Sequence, residues 1–335
     1  MEFSRRPRSA ELAARAGVSI ATVDRVINGR GGVRRETAAR VARALEEILS
    51  QARGARGAAA RARIDVLLPA QSGRSTEVLA EAIAARAAEA GGEVAIGLVP
   101  RFDPGALAAA LRDCARRGTG GVAFQGVDHP EVRGAMDELS RAGIPVVTLC
   151  SDVGHDRLAY VGVDNRAAGR TAGWLMGRLC SGAGSLAVVW GGELYRSHEE
   201  REAGFRSVLR AAHPALRIIE MVNGRDDAGE NYARMRDVAS ATPDLRGVYC
   251  VGGGQAGVAR AIEDAGLAGS VAMVGHNFNE ETRPFLLSGA IDALVHQDMG
   301  RIARAALDCF ARPPRSVSGT IVPVEIVTRE NMPPC

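Results

Sequence analysis

The sequence predicts an all-α head of three helices followed by two doubly wound, parallel-sheet α/β lobes. Three observations carry that prediction. Residues 9–49 hold three short amphipathic helical patterns arranged around a glycine turn. From Ile64 onward, short apolar runs alternate with helical stretches of 12–20 residues. The charge is also segregated: residues 1–63 hold 14 Arg against 6 Asp/Glu, a net of +8, and the remainder holds 28 Arg against 33 Asp/Glu, a net of −5. A basic head on an acidic body points to a polyanion that meets the head alone. A merely well-solvated surface accounts for abundant charge but not for its separation.

The head is organised by SAELAARAGVSIATVDRVIN, residues 9–28. Ser9 is placed to cap a first helix with Glu11 in its first turn, and Leu12, Ala13 and Ala16 give that helix its apolar side. Gly17 follows, where a sharp change of direction calls for a residue that tolerates positive φ. Ser19 caps a second helix whose Val23, Val26 and Ile27 turn inward. The outward side then shows Ser19, Ile20, Ala21, Thr22, Arg25 and Asn28, small or polar groups of a size that enters a major groove. A helical hairpin of another purpose would share the core pattern. A third helix is expected over Glu36–Leu49, with Val41, Leu45, Ile48 and Leu49 on one side. Residues 50–63, SQARGARGAAARAR, read as a basic linker: an interdomain tether, or a segment that becomes helical on DNA.

The body divides by its apolar runs: 64–70, 93–99, 121–127, 144–150, 159–163, 185–191, 216–222, 247–252, 271–277 and 291–297. Ten strands are many for one open sheet, so two lobes are expected, dividing near Val161–Asp164. Their expected extents are about 64–162 with 292–320, and about 163–291 with 321–335. In such sheets ligands bind beyond the carboxyl ends of the strands. Asp152 lies just after such a run, Asn277 and Gln297 end two others, and Arg201 lies a little beyond a fourth; these are the candidate ligand contacts. Carboxylate, amides and guanidinium converging from two lobes suit a polyhydroxylated molecule, whose hydroxyls both donate and accept. Asp164 and Asn165 read as a helix N-cap pair, and His198, followed by two glutamates, as a solvated helix start.

Other classes find little support. The six cysteines have no metal spacing and mostly sit in apolar runs, as buried free thiols do. The six histidines show no ligand spacing either, so no metal and no cofactor is expected. All 42 basic residues are arginine, which excludes a Walker loop at Gly252–Gly254 and leaves a tight strand-to-helix turn there. No nucleophile-base constellation is evident. MEFSRRPRSAEL lacks an apolar targeting core, and no uncharged apolar run is long enough to span a bilayer, so a cytoplasmic protein without a membrane partner is expected.

LAARAGVSIATVDRVING resembles the helix-turn-helix of the LacI family of bacterial transcription repressors. YVGVDNRAAGRTAGWL, EEREAGFRSVL and VGHNFNEETRPFLLSGAIDALVHQD are similar to the ribose-type periplasmic-binding-protein fold of type I that those repressors carry. The resemblance implies a homodimer that binds a pseudo-palindromic, double-stranded operator under control of a small polar effector such as a sugar. By position it implies that Ile20, Ala21 and Arg25 read base edges while Ser19, Thr22 and Asn28 hold phosphates. It further implies effector contacts at Arg201, Asn277 and Gln297, with Asp152 a weaker match. The chain departs from the family in three places. Residues 50–63 hold no apolar wedge for the minor groove. Gly252–Gly253 replace the usual Asn-Asp, and Cys150 stands where sugar-binding relatives often carry Asp. A transporter's solute-binding protein and a sugar-processing enzyme with a regulatory head are the alternatives to a regulator.

Overall fold

A computed structural model describes residues 9–27, 33, 37–41, 43–44, 63–192, 194–311 and 320–333, which fall into two units divided between Ala62 and Arg63. In the first unit, α1 (Ser9–Ala16) and α2 (Ile20–Ile27) meet at a glycine turn. Gly17 has φ +64°, and its amide donates to Ala14 O while the Val18 amide donates to Ala13 O. Those paired bonds close the helix with a left-handed cap, and they satisfy two carbonyls that the helix itself leaves free. Ser19 caps α2, its Oγ accepting from the Thr22 amide at 3.2 Å. Residues 37–41 and 43–44 are helical, and Val41 and Ala44 join Leu12, Ala13, Ala16 and Val23 in one small core. Asn28 and the 50–62 part of the linker lie outside the described residues.

The second unit contains two six-stranded sheets. The first takes β1 (Ile64–Pro69), β2 (Val94–Val99), β3 (Gly121–Phe124), β4 (Val146–Leu149), β5 (Ala159–Gly162) and β11 (Thr320–Ile321), in the order β2-β1-β3-β4-β5-β11, all parallel. β1, β3, β4 and β5 are buried along their whole length, as strands covered on both faces must be. Helices α3 (Arg74–Glu89), α4 (Pro104–Arg117), α5 (Pro130–Arg141) and α11 (Met299–Ala311) supply the cover. Met299, Ile302, Ala303, Ala306, Cys309 and Phe310 make the buried stripe of α11. At ~1.5–3 kcal/mol for each large apolar side chain removed from water, such stripes are what hold the layers together.

The second sheet takes β6 (Gly184–Trp190), β7 (Leu216–Asn223), β8 (Leu245–Cys250), β9 (Ala272–His276), β10 (Ala293–Gln297) and β12 (Val324–Val327), in the order β7-β6-β8-β9-β10-β12. Only β12 runs antiparallel, against β10. Its helices are α6 (Asn165–Leu179), α7 (Arg196–Ala212), α8 (Ala228–Ala241), α9 (Gln255–Asp264) and the short α10 (Arg283–Ser288). The chain therefore crosses between lobes three times: after β5, between β10 and α11, and between β11 and β12. The lobe boundary expected at 292 is corrected by this pairing. β10 bonds to β9 and β12 of the second sheet, so the return crossing comes at Asp298. β11 and β12 are strands that periodicity does not reveal, one of two residues and the other of four.

Candidate functional site

On the head, the exposed side of α2 presents Ile20, 54% exposed, with Ala21 and Arg25, while Thr22 is half-buried. The Ser19 and Thr22 hydroxyls lie 2.9 Å apart, so both are partly spent on capping the helix. Val23 is fully buried, which fixes the rotation of α2 and hence the side it shows.

In the body, one cleft gathers the loops at the carboxyl ends of strands from both lobes and encloses about 820 Å³ including its open mouth. The first lobe contributes Arg74, Gln125 and Cys150, and the second contributes Tyr195, His198, Arg201, Asp226, Asn277 and Gln297. Arg201, Asn277 and Gln297 are thus brought together from α7 and from the ends of β9 and β10.

Arg201 is the centre of this arrangement. It is 5% exposed; its Nε donates to Asn165 Oδ1 at 2.8 Å and its Nη1 to Val251 O at 2.9 Å. Asn165 in turn donates to Cys150 O at 3.0 Å and to Tyr160 Oη at 3.1 Å, tying the guanidinium of one lobe to the strand ends of the other. Among the described residues no carboxylate lies within ion-pair distance of Arg201, and a guanidinium has five N–H donors. A buried cation with donors to spare calls for acceptors from a bound molecule. The same cleft holds acceptors: Asn277 Oδ1 and Gln297 Oε1 are buried without a partner among the described residues. Asn277 is set by a left-handed backbone, φ +63°, and Gln255 braces the β9 end by accepting from the His276 amide and donating to the Asn277 carbonyl at 3.2 Å.

Burial sets the charge of two histidines and a cysteine here. His198 is held below its ordinary pKa chiefly by burial, with Asp226 opposing the shift and Arg201 adding to it. His276 lies well below for the same leading reason, with Arg201 and His198 adding to it. The Cys150 thiol is pushed up to about 12 by burial. Around Arg201 the cleft therefore presents neutral imidazoles and a neutral thiol.

Two expectations are corrected. Asp152 does not line the cleft. Its Oδ1 accepts from Thr148 Oγ1 at 2.8 Å and from the Val153 amide at 2.9 Å, and its Oδ2 pairs with Arg157. That carboxylate shapes the turn after β4. His198 is not solvated but 7% exposed, packed on Tyr195 with ring centroids 5.6 Å apart and facing the cleft. The cap reading of Asp164 agrees with its Oδ1 accepting from the Ala167 amide at 2.8 Å, whereas Asn165 is turned inward to Arg201. Asp226, which no sequence pattern marks, also lines the cleft. Among the described residues no group of three or more His, Cys, Asp or Glu could hold a metal, and no helix is long and apolar enough to cross a membrane.

The model of the periplasmic binding protein domain matches residues 64–312, and that of bacterial regulatory proteins, lacI family, matches residues 10–49. Among curated proteins, the chain is 26% identical over 214 residues to a D-ribose/D-allose-binding protein of Pseudomonas aeruginosa, a match covering 59% of this chain and 65% of that one. It is 24% identical over 225 residues to the D-allose-binding periplasmic protein of Escherichia coli, covering 64% and 71%. The chain thus spans about two thirds of the length of these relatives. Among solved structures, a glucose-galactose binding protein from Geobacillus stearothermophilus superposes with a TM-score of 0.74 at 23% identity, over 81% of this chain and 99% of that one. A solute-binding protein from Burkholderia graminis in complex with D-arabinose gives 0.76 at 22%, over 81% and 97%. At these identities the two structures are similar to this one in fold.

Proposed function

We propose that this chain, which belongs to the periplasmic binding protein domain family and carries a lacI-family regulatory head, is a cytoplasmic DNA-binding repressor switched by a small sugar or sugar derivative. One observation carries the proposal. The chain that holds the head also holds a cleft lined by a buried guanidinium with donors to spare and by amide oxygens unpartnered among the described residues. Hydroxyl groups answer both needs, because each donates to an amide or carboxylate oxygen while accepting from arginine. The named ligands of the relatives, ribose and allose, are molecules of this kind.

In this reading a homodimer sets two heads on the half-sites of a pseudo-palindromic operator. Arg25, Ile20 and Ala21 meet base edges; Ser19, Thr22 and Asn28 meet phosphates. Effector binding biases the lobes toward one relative arrangement. Operator affinity changes because the two dimer arrangements hold DNA unequally, and linkage makes the effect reciprocal. The cleft binds and does not turn over its ligand: His198 and Asp226 stand 4.0 Å apart with no hydrogen bond joining them. A role as a transporter's solute-binding protein accounts for the body but leaves the basic head without a task.

The test is fluorescence anisotropy of the full chain at physiological salt. It is titrated on a duplex carrying the upstream region of its own coding sequence and on a random duplex, with and without neutral pentoses and hexoses. Tighter binding to the first duplex, altered by one of the sugars, is the expected result. Equal weak binding to both duplexes, unmoved by any sugar, would overturn the regulator reading.

A further inference from the structure

The cleft holds a carboxylate that lies outside the contacts expected from the sequence. Asp226 lies in the loop between β7 and α8, and its side chain enters the space above three glycines at the ends of β6 and β8. A Cβ added at Gly191 would fall 2.5 Å from Asp226 Oδ1, one at Gly252 2.3 Å from the same oxygen, and one at Gly253 2.9 Å from Asp226 Cβ. Any side chain at 191 or 252 would therefore expel the carboxylate. Asp226 and the glycines therefore form one arrangement, each required by the other.

The carboxylate is held at one end and open at the other. Oδ1 accepts from the Gly253 amide at 2.8 Å, whereas Oδ2 lies 4.0 Å from His198 Nε2, too far for a hydrogen bond. The side chain is 13% exposed, toward the cleft. Two successive residues with positive φ, Arg225 at +51° and Asp226 at +57°, are needed to aim it there, a backbone that non-glycine residues adopt at a cost. Arg101 of the first lobe holds this backbone from across the mouth, its Nη1 donating to Asp226 O at 3.3 Å. Nearby, Asn277 Oδ1 and Gln297 Oε1 lie buried and unpartnered, and Gln297 is 4% exposed.

We infer that Asp226 is a ligand-binding and specificity-determining residue, whose free Oδ2 accepts a hydroxyl of a neutral polyol. The glycines at 191, 252 and 253 are specificity positions because they make room for it. A carboxylate at this place rejects ligands that bring their own negative charge, so sugar acids and sugar phosphates are excluded in favour of uncharged sugars. Because Asp226 O is gripped by Arg101, the residue that touches the ligand also touches the opposite lobe.

The inference rests on the sugar-effector reading of the cleft and is tested on the full chain by isothermal titration. The probes are D-ribose, D-allose, D-arabinose and myo-inositol, with D-ribonate as the anionic counterpart of ribose. Wild type is expected to bind at least one neutral probe and to bind ribonate at least tenfold more weakly. Asp226→Asn, which preserves shape and the bond from the Gly253 amide, should weaken neutral binding tenfold or more and shrink the preference over ribonate. Gly252→Ala should lose as much as Asp226→Ala, although it keeps the carboxylate. Melting curves of the unliganded variants separate these effects from unfolding, and Asp226→Asn is expected to melt as wild type does. Neutral binding by Asp226→Asn within threefold of wild type, with the preference over ribonate unchanged, overturns the role of Asp226 and leaves the sugar reading standing. Wild type that prefers ribonate, or that binds none of the probes, overturns both.

Discussion

Gly169→Ala should weaken effector binding without touching the effector. Gly169 lies on α6 where that helix crosses α7, and a Cβ there would sit 1.9 Å from the carbonyl oxygen of Arg201. The crossing is backbone against backbone on both sides: a Cβ at Gly173 would lie 2.9 Å from Phe205 O, and one at Gly204 2.3 Å from Arg166 O. Real Cβ contacts essentially never fall under 3.0 Å, so the helices must part by about 1.1 Å at Gly169, and no flexible side chain is present to yield instead. Overpacking of this kind costs ~1–3 kcal/mol. A rigid backbone neighbour puts the cost at the upper end, and the better helix propensity of alanine offsets ~1 kcal/mol. A net loss of about 2 kcal/mol lowers the melting temperature of a body this size by roughly 4–8 °C. The same displacement stretches the 2.8 Å bond from Arg201 Nε to Asn165 beyond hydrogen-bonding range. Without that bond the guanidinium is no longer fixed in place, and effector affinity is expected to fall roughly tenfold, the ~1.4 kcal/mol of one hydrogen bond to the effector. Differential scanning fluorimetry of the free protein and calorimetric titration of the effector read the two effects. Gly134→Ala is the control, since its Cβ would meet only Arg112 Nη2 at 3.9 Å, and it should raise the melting temperature slightly. A Gly169→Ala protein that melts within a degree of wild type and binds effector within threefold would refute this account of how Arg201 is placed.

Arg25→Ala should weaken operator binding by roughly 1–3 kcal/mol and relax preference at one base position, read by anisotropy on a set of singly substituted duplexes. Uniform loss on every duplex would make Arg25 a phosphate contact instead. Arg201→Ala should abolish the effector response while leaving operator affinity within about threefold of wild type, and a retained response would remove Arg201 from the effector site. Stability should fall with acid. His198, His276 and His296 are all held below the ordinary histidine pKa by burial, so each is neutral in the folded chain and takes up its proton more readily when unfolded. Their contribution is fully present above the unfolded value of about 6.5 and is lost as the pH falls from there toward the folded values. The melting temperature should decline from pH 6.5 to pH 5, and His276→Gln should flatten the decline. An unchanged slope in that variant would remove His276 from the acid sensitivity.

The layered architecture was legible because burial on both faces forces near-continuous apolar runs, and the head because Leu12, Ala13, Ala16 and Val23 keep helical spacing around one glycine. Sheet membership was not legible in the same way. LVHQ is equally apolar whichever lobe it enters, and only its pairing with Val274–His276 and Val324–Val327 assigns it to the second. β11 is invisible locally because its two residues are exposed and their partners, Val161 and Gly162, lie far away in sequence. At the site, Arg201 could be read from its place in a helix that starts beyond a strand end. His198 could have been read as well: it stands three residues before Arg201 and seven before Phe205, on the buried side of α7. The two glutamates after it drew the reading outward. Asp226 left no local signal, since its position depends on glycines at 191, 252 and 253 that only the fold brings beneath it. Asp152 misled for the opposite reason: a carboxylate after a strand end is as well suited to holding its own turn as to holding a ligand.

The composition of the cleft bears on where the switching energy comes from. Its large apolar members are Leu79, Tyr195 and Met299, and Tyr195 is engaged with Phe102 at 5.5 Å as well as with His198. With so little apolar surface to offer, the site must discriminate by hydrogen bonds, whose net value is only ~1 kcal/mol each because the ligand leaves water to make them. Moving a two-state equilibrium from one extreme to the other takes ~5.5 kcal/mol of differential binding. A few such bonds do not supply that if the open lobes bind the ligand almost as well as the closed ones. The contacts across the mouth change this balance. Arg74 of the first lobe donates to Glu280 of the second at 2.7 Å, Asn279 to Ser75 at 3.3 Å, and Arg101 to Asp226 O at 3.3 Å, while the Arg225 guanidinium lies 6.0 Å from the centre of the Phe102 ring. Each joins one lobe to the other across the mouth. Such contacts favour the approach of the lobes before any ligand arrives, so on the proposed reading the ligand has less of that ~5.5 kcal/mol to supply. On the proposed reading, different residues would then set the effector's chemistry and the threshold of the response: Arg201, Asn277 and Gln297 with Asp226 for the first, and Arg74, Arg101 and Phe102 with their partners for the second.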